Sequence, residues 1–242
     1  MNTPPTLAAL RTRIKICGLT REQDVDAAVA VGADAVGFNL YPGSARHVSA
    51  QRAGELARRL PPMVTPVLLF VNADAIDIAA ACDCVPGAVM QFHGDESADE
   101  CMAMAARCQR PYWRVARIPP GASPVFDLLE FAHSFASAQA ILLDAHVEGF
   151  GGGGKTFDWS RLPPNVPAHL VLAGGLTAAN VATGMAALRG RGHSLAVDVA
   201  SGVEADGPDG KPIKGIKDAD KIMRFVAAVR AADALFAGIE SP

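Results

Sequence analysis

Long hydrophobic runs are missing from this sequence. None approaches the roughly 20 residues that span a bilayer, and the longest, Met63 to Val71, contains a proline and reads as a buried strand. No membrane partner is therefore expected. Blocks of like charge are missing too, and the net charge is only −3, so no nucleic acid partner is expected either. Met1 to Leu10 lacks a basic region followed by an apolar core. No signal peptide is expected, and a cytoplasmic enzyme is the default reading. C-x₂-C pairs are absent. The five cysteines, Cys17, Cys82, Cys84, Cys101 and Cys108, are odd in number, which without a secretory signal argues against a disulfide framework. Cys101 and Cys108 stand seven apart in an apparent helix, about 10 Å at a rise of about 1.5 Å per residue, too far to share one metal easily. Small buried thiols explain them better than zinc.

What is present is alternation. Short apolar runs at Arg13–Cys17, Ala35–Leu40, Thr65–Val71, Ala88–His93, Tyr112–Ile118, Gln139–Asp144, His169–Leu172 and Ser194–Val199 read as strands. Between them lie candidate helices at Arg21–Val31, Ala50–Leu60, Ala73–Cys82, Ala98–Arg107, Pro124–Ala136, a short turn at Trp159–Leu162, Thr177–Ala187 and Asp218–Phe236, with Thr20 as a helix N-cap. Several strands are apolar on both faces, as strands covered by helices should be. Alternating β and α implies a parallel sheet with right-handed crossovers. Eight such units in 242 residues fit a single-domain (β/α)₈ TIM barrel, a fold of about 250 residues. An open doubly wound sheet has the same periodicity. Residues 1–11 read as a flexible N-terminal extension, and Ala205 to Gly215 as an exposed loop.

Four strands end in polar or reactive residues: Cys17, His93, Asp144 and Asp198. In a barrel such ends converge on the face where chemistry is found. Glycine punctuation adds a second signal. Ala173-Gly174-Gly175-Leu176-Thr177 ends the seventh strand, and Asp198-Val-Ala200-Ser201-Gly202-Val203-Glu204 ends the eighth. Loops at these two positions commonly hold a phosphate on backbone N–H groups. A third motif misleads. Gly149 to Thr156 satisfies the G-x-x-x-x-G-K-[ST] pattern of a P-loop, but the chain runs into Pro163-Pro164 before a substantial helix fits. A loop able to close over substrate is the better reading.

In order, Lys15-Ile-Cys-Gly-Leu-Thr20, Gly37-Phe-Asn-Leu-Tyr-Pro42 with Ser44-Ala-Arg46, Gln91-Phe-His-Gly94, Leu142-Leu-Asp144, Gly151 to Trp159, Ala173-Gly-Gly-Leu176 and Asp198 to Glu204 resemble the phosphoribosylanthranilate isomerase family along nearly the whole chain. The resemblance implies an Amadori rearrangement of N-(5-phosphoribosyl)anthranilate in tryptophan biosynthesis. It implies Asp144 as the general acid that opens the ribose ring and Cys17 as the general base at sugar carbon 2. It further implies Arg46 on the anthranilate carboxylate, His93 at a substrate-binding position, and a phosphate site of Gly174, Gly175, Asp198, Ala200, Ser201 and Gly202, with Asp198 orienting the loop. No metal or redox cofactor is required. The expected partner is a small phosphorylated substrate, and the protein a monomer or homodimer.

The chain departs from the family pattern in three places. Ala200 stands where many members have serine, Gly153 where threonine is usual, and Ala205 to Gly215 is longer than the expected link to Gly215-Ile-Lys-Asp218. Three alternatives remain at this stage: a related barrel isomerase of histidine biosynthesis with paired aspartates, a P-loop nucleotidase, and an inactive sugar-phosphate binder. Cys17 at the end of the first strand argues against the first.

Overall fold

The computed structural model describes residues 11–119, 126–145 and 157–239. Eight parallel strands close on themselves: β1 (Arg13–Cys17), β2 (Ala35–Asn39), β3 (Thr65–Phe70), β4 (Val89–Phe92), β5 (Tyr112–Ile118), β6 (Ala140–Ala145), β7 (His169–Leu172) and β8 (Ser194–Val199). Pairing of β8 with β1 makes a barrel and excludes the open sheet. Helices α1 (Glu22–Ala30), α2 (Ala50–Ala57), α3 (Ala75–Cys84), α4 (Ala98–Cys108), α5 (Leu128–Ser134), α6 (Val181–Leu188) and α7 (Ala219–Ile239) follow the strands. Before β7 the described chain holds one 3₁₀ turn, Trp159–Arg161, too short for the helix that a P-loop requires. The N-terminal ten residues and the Gly149–Thr156 motif, Gly153 included, lie outside the described residues.

The period of two along each strand sorts the side chains. Ile14, Ile16, Val36, Phe38, Leu68, Phe70, Met90 and Phe92 join Val25, Leu56, Ile78 and Phe225 in one continuous core between barrel and helices. The alternate positions form three smaller clusters: Ala35 with Val67 and Val89, Val115 with Leu142 and Val171, and Cys17 with Leu69 and Val71. Stability thus resides mainly in the outer layer, where aromatic and aliphatic side chains are large. The inner layer is smaller and, toward the carboxyl ends, polar.

Three local expectations change. Thr20 does not cap α1. Its hydroxyl donates to Gly215 O at 2.6 Å, and Arg21 precedes the helix without a side-chain cap. The helix after β7 begins at Val181 rather than Thr177, because Asn180 Oδ1 accepts from Thr177 N at 2.8 Å and its Nδ2 donates to Gly175 O at 3.0 Å, fixing a turn there instead. The stretch expected as a loop forms most of an antiparallel hairpin, β9 (Glu204–Asp206) and β10 (Pro212–Lys217). Its tip is Gly207-Pro-Asp-Gly210, closed by Gly210 N on Gly207 O at 2.9 Å, a turn with proline at its second position. No described helix is long and apolar enough to cross a membrane.

Phe92 is buried, with its ring 6.2 Å from Phe70 and 5.8 Å from Tyr112. Phe92→Ala is expected to lower the unfolding free energy by about 3–5 kcal/mol in urea denaturation. A loss under about 1 kcal/mol would contradict its place in the core.

Candidate active site

Strand parity puts Lys15 and Cys17 on the inner face of β1. Register then chooses their neighbours: Lys15 lies opposite Asp198 on β8, and Cys17 opposite Gly37 on β2. Lys15 Nζ donates to Asp198 Oδ2 at 2.9 Å, with both side chains buried. Gly37 is glycine because the thiol and the ammonium fill its side-chain space. A Cβ there would sit 2.7 Å from Cys17 Sγ and 3.1 Å from Lys15 Nζ. Gly18 meets a similar demand. Its φ is +74°, and an added Cβ would lie 2.5 Å from Arg46 Cδ, so the arginine stem packs over the residue that follows the cysteine.

Arg46 is buried and does not stand free. Its Nε and Nη2 donate to Glu204 Oε1 and Oε2 at 2.7 and 2.9 Å. Glu204 also accepts from Gly215 N at 2.8 Å and from Lys217 Nζ at 3.3 Å. Lys217 Nζ donates in turn to Ala200 O at 2.8 Å. The hairpin therefore braces both the arginine and the loop after β8. Burial alone would raise the Glu204 carboxyl, but Arg46, Lys217 and the Gly215 N–H outweigh it and hold the pKa below its ordinary value. Because Glu204 takes one edge of the guanidinium, the Nη1/Nη2 edge is the one left for a second carboxylate.

Across the barrel, His93 Nε2 lies 3.2 Å from Asp144 Oδ2. This contact is not a hydrogen bond, and neither ring nitrogen of His93 has a hydrogen-bond partner. Gln91 Oε1 and Asp198 Oδ1 are likewise buried without one. Buried polar atoms are seldom left unmatched, so these atoms mark where a polar ligand would bind. The loop that carries His93 is held by Arg114, which donates to Phe92 O, Gly94 O and Glu96 O at 2.9–3.1 Å and stacks 5.0 Å from the Phe135 ring.

The two glycine loops meet. A Cβ on Gly202 would lie 1.9 Å from Leu176 O, so the β8 loop packs backbone to backbone on the β7 loop. Ser201–Val203 form a 3₁₀ turn preceded by Ala200. The Gly174 and Gly175 N–H groups make no hydrogen bond among the described residues. Asp198 does not hold this loop: its carboxylate is on Lys15 instead, and Lys217 does the holding.

All ten expected site residues lie at strand ends or in the loops just beyond them, on one face of the barrel. Strand alternation in the sequence already puts Lys15 on the face of Cys17 as the nearest candidate cation for the thiol, whereas Gly37, Arg114, Glu204 and Lys217 carry no such signal. A family model for N-(5'-phosphoribosyl)anthranilate (PRA) isomerase matches residues 14–228. The chain belongs to this family. It is 58% identical over 231 residues to the N-(5'-phosphoribosyl)anthranilate isomerase of Methylibium petroleiphilum, covering 96% of this chain and 100% of that one. It is 57% identical over 228 residues to that of Leptothrix cholodnii, covering 94% and 95%. Among solved structures, the phosphoribosyl anthranilate isomerase of Thermotoga maritima matches with a TM-score of 0.75 and 33% identity, over 91% of this chain and 99% of that one.

Removing one partner of a buried ion pair costs about 3–5 kcal/mol, so Glu204→Gln is expected to lose that much stability at neutral pH. The folded pKa of Glu204 lies below its ordinary 4.5. Its contribution is therefore complete above pH 4.5 and disappears as pH falls through the folded value. The gap between wild type and variant in denaturant melts should close under acid. A constant gap would contradict the assignment.

Proposed function

We propose that the barrel mouth converts N-(5-phosphoribosyl)anthranilate to 1-(2-carboxyphenylamino)-1-deoxyribulose 5-phosphate, with Asp144 as acid and Cys17 as base. The carrying observation is that Cys17 on β1 and the Asp144–His93 pair meet at one carboxyl-end mouth, beside the two packed glycine loops after β7 and β8.

Asp144 protonates the ring oxygen of the ribose and opens it to a Schiff base. Cys17 removes the proton from carbon 2, giving an enolamine that rearranges to the ketone. Opposite proton tasks suit groups on separate strands facing one sugar. Arg46 offers its free edge to the anthranilate carboxylate, as a planar donor suits a planar anion. The Gly174, Gly175 and Ala200–Gly202 backbone receives the phosphate, where N–H groups approach closely. His93 faces the substrate from beside Asp144. A solved phosphoribosyl anthranilate isomerase in complex with reduced 1-(o-carboxyphenylamino)-1-deoxyribulose 5-phosphate matches this chain with a TM-score of 0.70 and 32% identity, over 91% of this chain and 99% of that one, which supports a ligand of this shape. A net charge of −3 fits a small anionic substrate bound by local cations rather than a nucleic acid, and we place the enzyme in the cytoplasm.

The test follows loss of substrate fluorescence with purified protein. Wild type should turn the substrate over. Cys17→Ser and Asp144→Asn should each lower kcat by about 10²–10⁴-fold without changing the thermal midpoint. Wild-type turnover by the Cys17 variant would overturn the base assignment. Gly37→Ala should also lose most activity, because its Cβ displaces the sulfur, and full activity there would contradict the packing described above.

A further inference from the structure

Two acidic groups share one cation at the floor of the mouth. The Lys15 ammonium donates to Asp198 Oδ2 at 2.9 Å, and the Cys17 sulfur sits beside the same ammonium in the space that Gly37 leaves open. All three side chains are more than nine-tenths buried, and Asp198 Oδ1 has no hydrogen-bond partner. One buried ammonium compensates one buried anion, not two. Lys15 alone therefore cannot match both a thiolate and a carboxylate, and a proton resting on one of them relieves the cluster.

We infer that Cys17, Lys15 and Asp198 form a one-proton cluster, in which Asp198 accepts the proton that Cys17 releases and Lys15 neutralises whichever of the two is charged. This rests on the proposed base role of Cys17. At rest the cluster is thiol, ammonium and carboxylate. In the active form the S–H bond is broken, an O–H bond has formed on Asp198, and the members are thiolate, ammonium and carboxylic acid. The net charge is the same in both. The thiolate then takes the carbon 2 proton of the Schiff base. The positive charge that leaves the substrate stays on Lys15, whose two neighbours are then neutral. Lys15 and Asp198 are thus positioning residues for Cys17.

The surroundings agree. Burial pushes both the Cys17 thiol and the Asp198 carboxyl up from their ordinary values. Burial works to lower Lys15, but Asp198 and Cys17 together hold it above its own. Other charged groups face the cluster. Arg46, from the loop after β2, and Lys217, from β10, face the sulfur and share the single carboxylate of Glu204, two cations on one anion, which favours the thiolate over the Asp198 carboxylate as the charged member. Asp144 from β6 and His93 from beyond β4 face Asp198 and lie against each other.

The test is the pH profile of iodoacetamide alkylation at Cys17 in the full chain, read by peptide mass spectrometry so that the other four cysteines are scored apart. Lys15→Met should slow alkylation at neutral pH about tenfold and move the profile up by about one pH unit. Asp198→Asn should do the opposite, about tenfold faster and one unit lower, because the ammonium then serves sulfur alone; a tenfold change corresponds to one unit. A merely structural role for Asp198 would not lower the thiol profile. An unchanged or raised profile in Asp198→Asn overturns the inference. If Lys15→Met does not fold, the Lys15→Met/Asp198→Asn double variant removes both charges and should show the raised profile, and a profile at or below wild type overturns the inference. Alkylation requires no turnover. Absent isomerase activity in wild type would remove the proposed function while leaving this readout intact, and failure of the opposed shifts with turnover present would remove the cluster alone.

Discussion

A charge inside a barrel must be matched inside the barrel, and this one constraint arranges the whole mouth. Lys15 and Asp198 are cross-strand neighbours where β1 meets β8, so the seam that closes the barrel also carries a buried ion pair. Such a pair adds little net stability, since desolvating two ions offsets most of their attraction, and apolar residues of like volume often do as well. Stability has another source. The outer layer, with Phe38, Phe70, Phe92 and Phe225 fully enclosed, buries the large side chains. That division leaves the inner layer free to hold charge, small residues and unmatched polar atoms, which a binding site requires and a folding core would exclude.

The second buried network repeats the logic one layer out. Glu204 is the hub: it fixes Arg46 through two hydrogen bonds, receives Gly215 N and pairs with Lys217. The hairpin that supplies Gly215 and Lys217 also accepts from Thr20 and reaches α1, where Asp24 accepts from Lys217 N at 3.2 Å. Three regions far apart in sequence, Thr20 to Asp24, Arg46 and Glu204 to Lys217, are thereby held in one arrangement. An arginine with a carboxylate already on one edge is preoriented. It presents its other edge without losing further side-chain freedom when a planar anion arrives.

Much of this is legible in the sequence. Alternating apolar runs located all eight strands, and β1, β5, β7 and β8 have the limits read from sequence. Period-two alternation put Lys15 on the face of Cys17. The resemblance named Arg46 but not its partner, because the Arg46–Glu204 contact spans 158 positions and no local pattern encodes it. The same holds for Lys15 with Asp198, 183 positions apart. Arg114 escaped notice for a different reason. A charged residue within a strand reads as an outward solvated position, whereas here it lies in the outer core, bonded to the carbonyls of the His93 loop. The hairpin is legible locally as well: Gly207-Pro-Asp-Gly210 is a turn sequence between two extended arms, although its Gly, Pro, Asp and Lys content is also that of an exposed loop.

The departures from the family pattern look different once the holding groups are known. Ala200 lacks the hydroxyl of serine, but the Ala200 carbonyl is what Lys217 grips, and any residue supplies a carbonyl. The loop is therefore set by its backbone and by contact of Gly202 with Leu176 O, with the side chain at 200 adding at most one bond to an anion. The longer link before Gly215 is tolerated on similar grounds. Residues Pro208 to Lys214 are exposed, while Glu204 and Lys217 at the two ends are buried. Closing a longer loop between fixed ends costs only about 0.6 kcal/mol per doubling of its length. Both changes fall where the chain is held by its main chain or its ends, and neither touches the cysteine, the carboxylates or the lysine on which the proposed proton transfers depend.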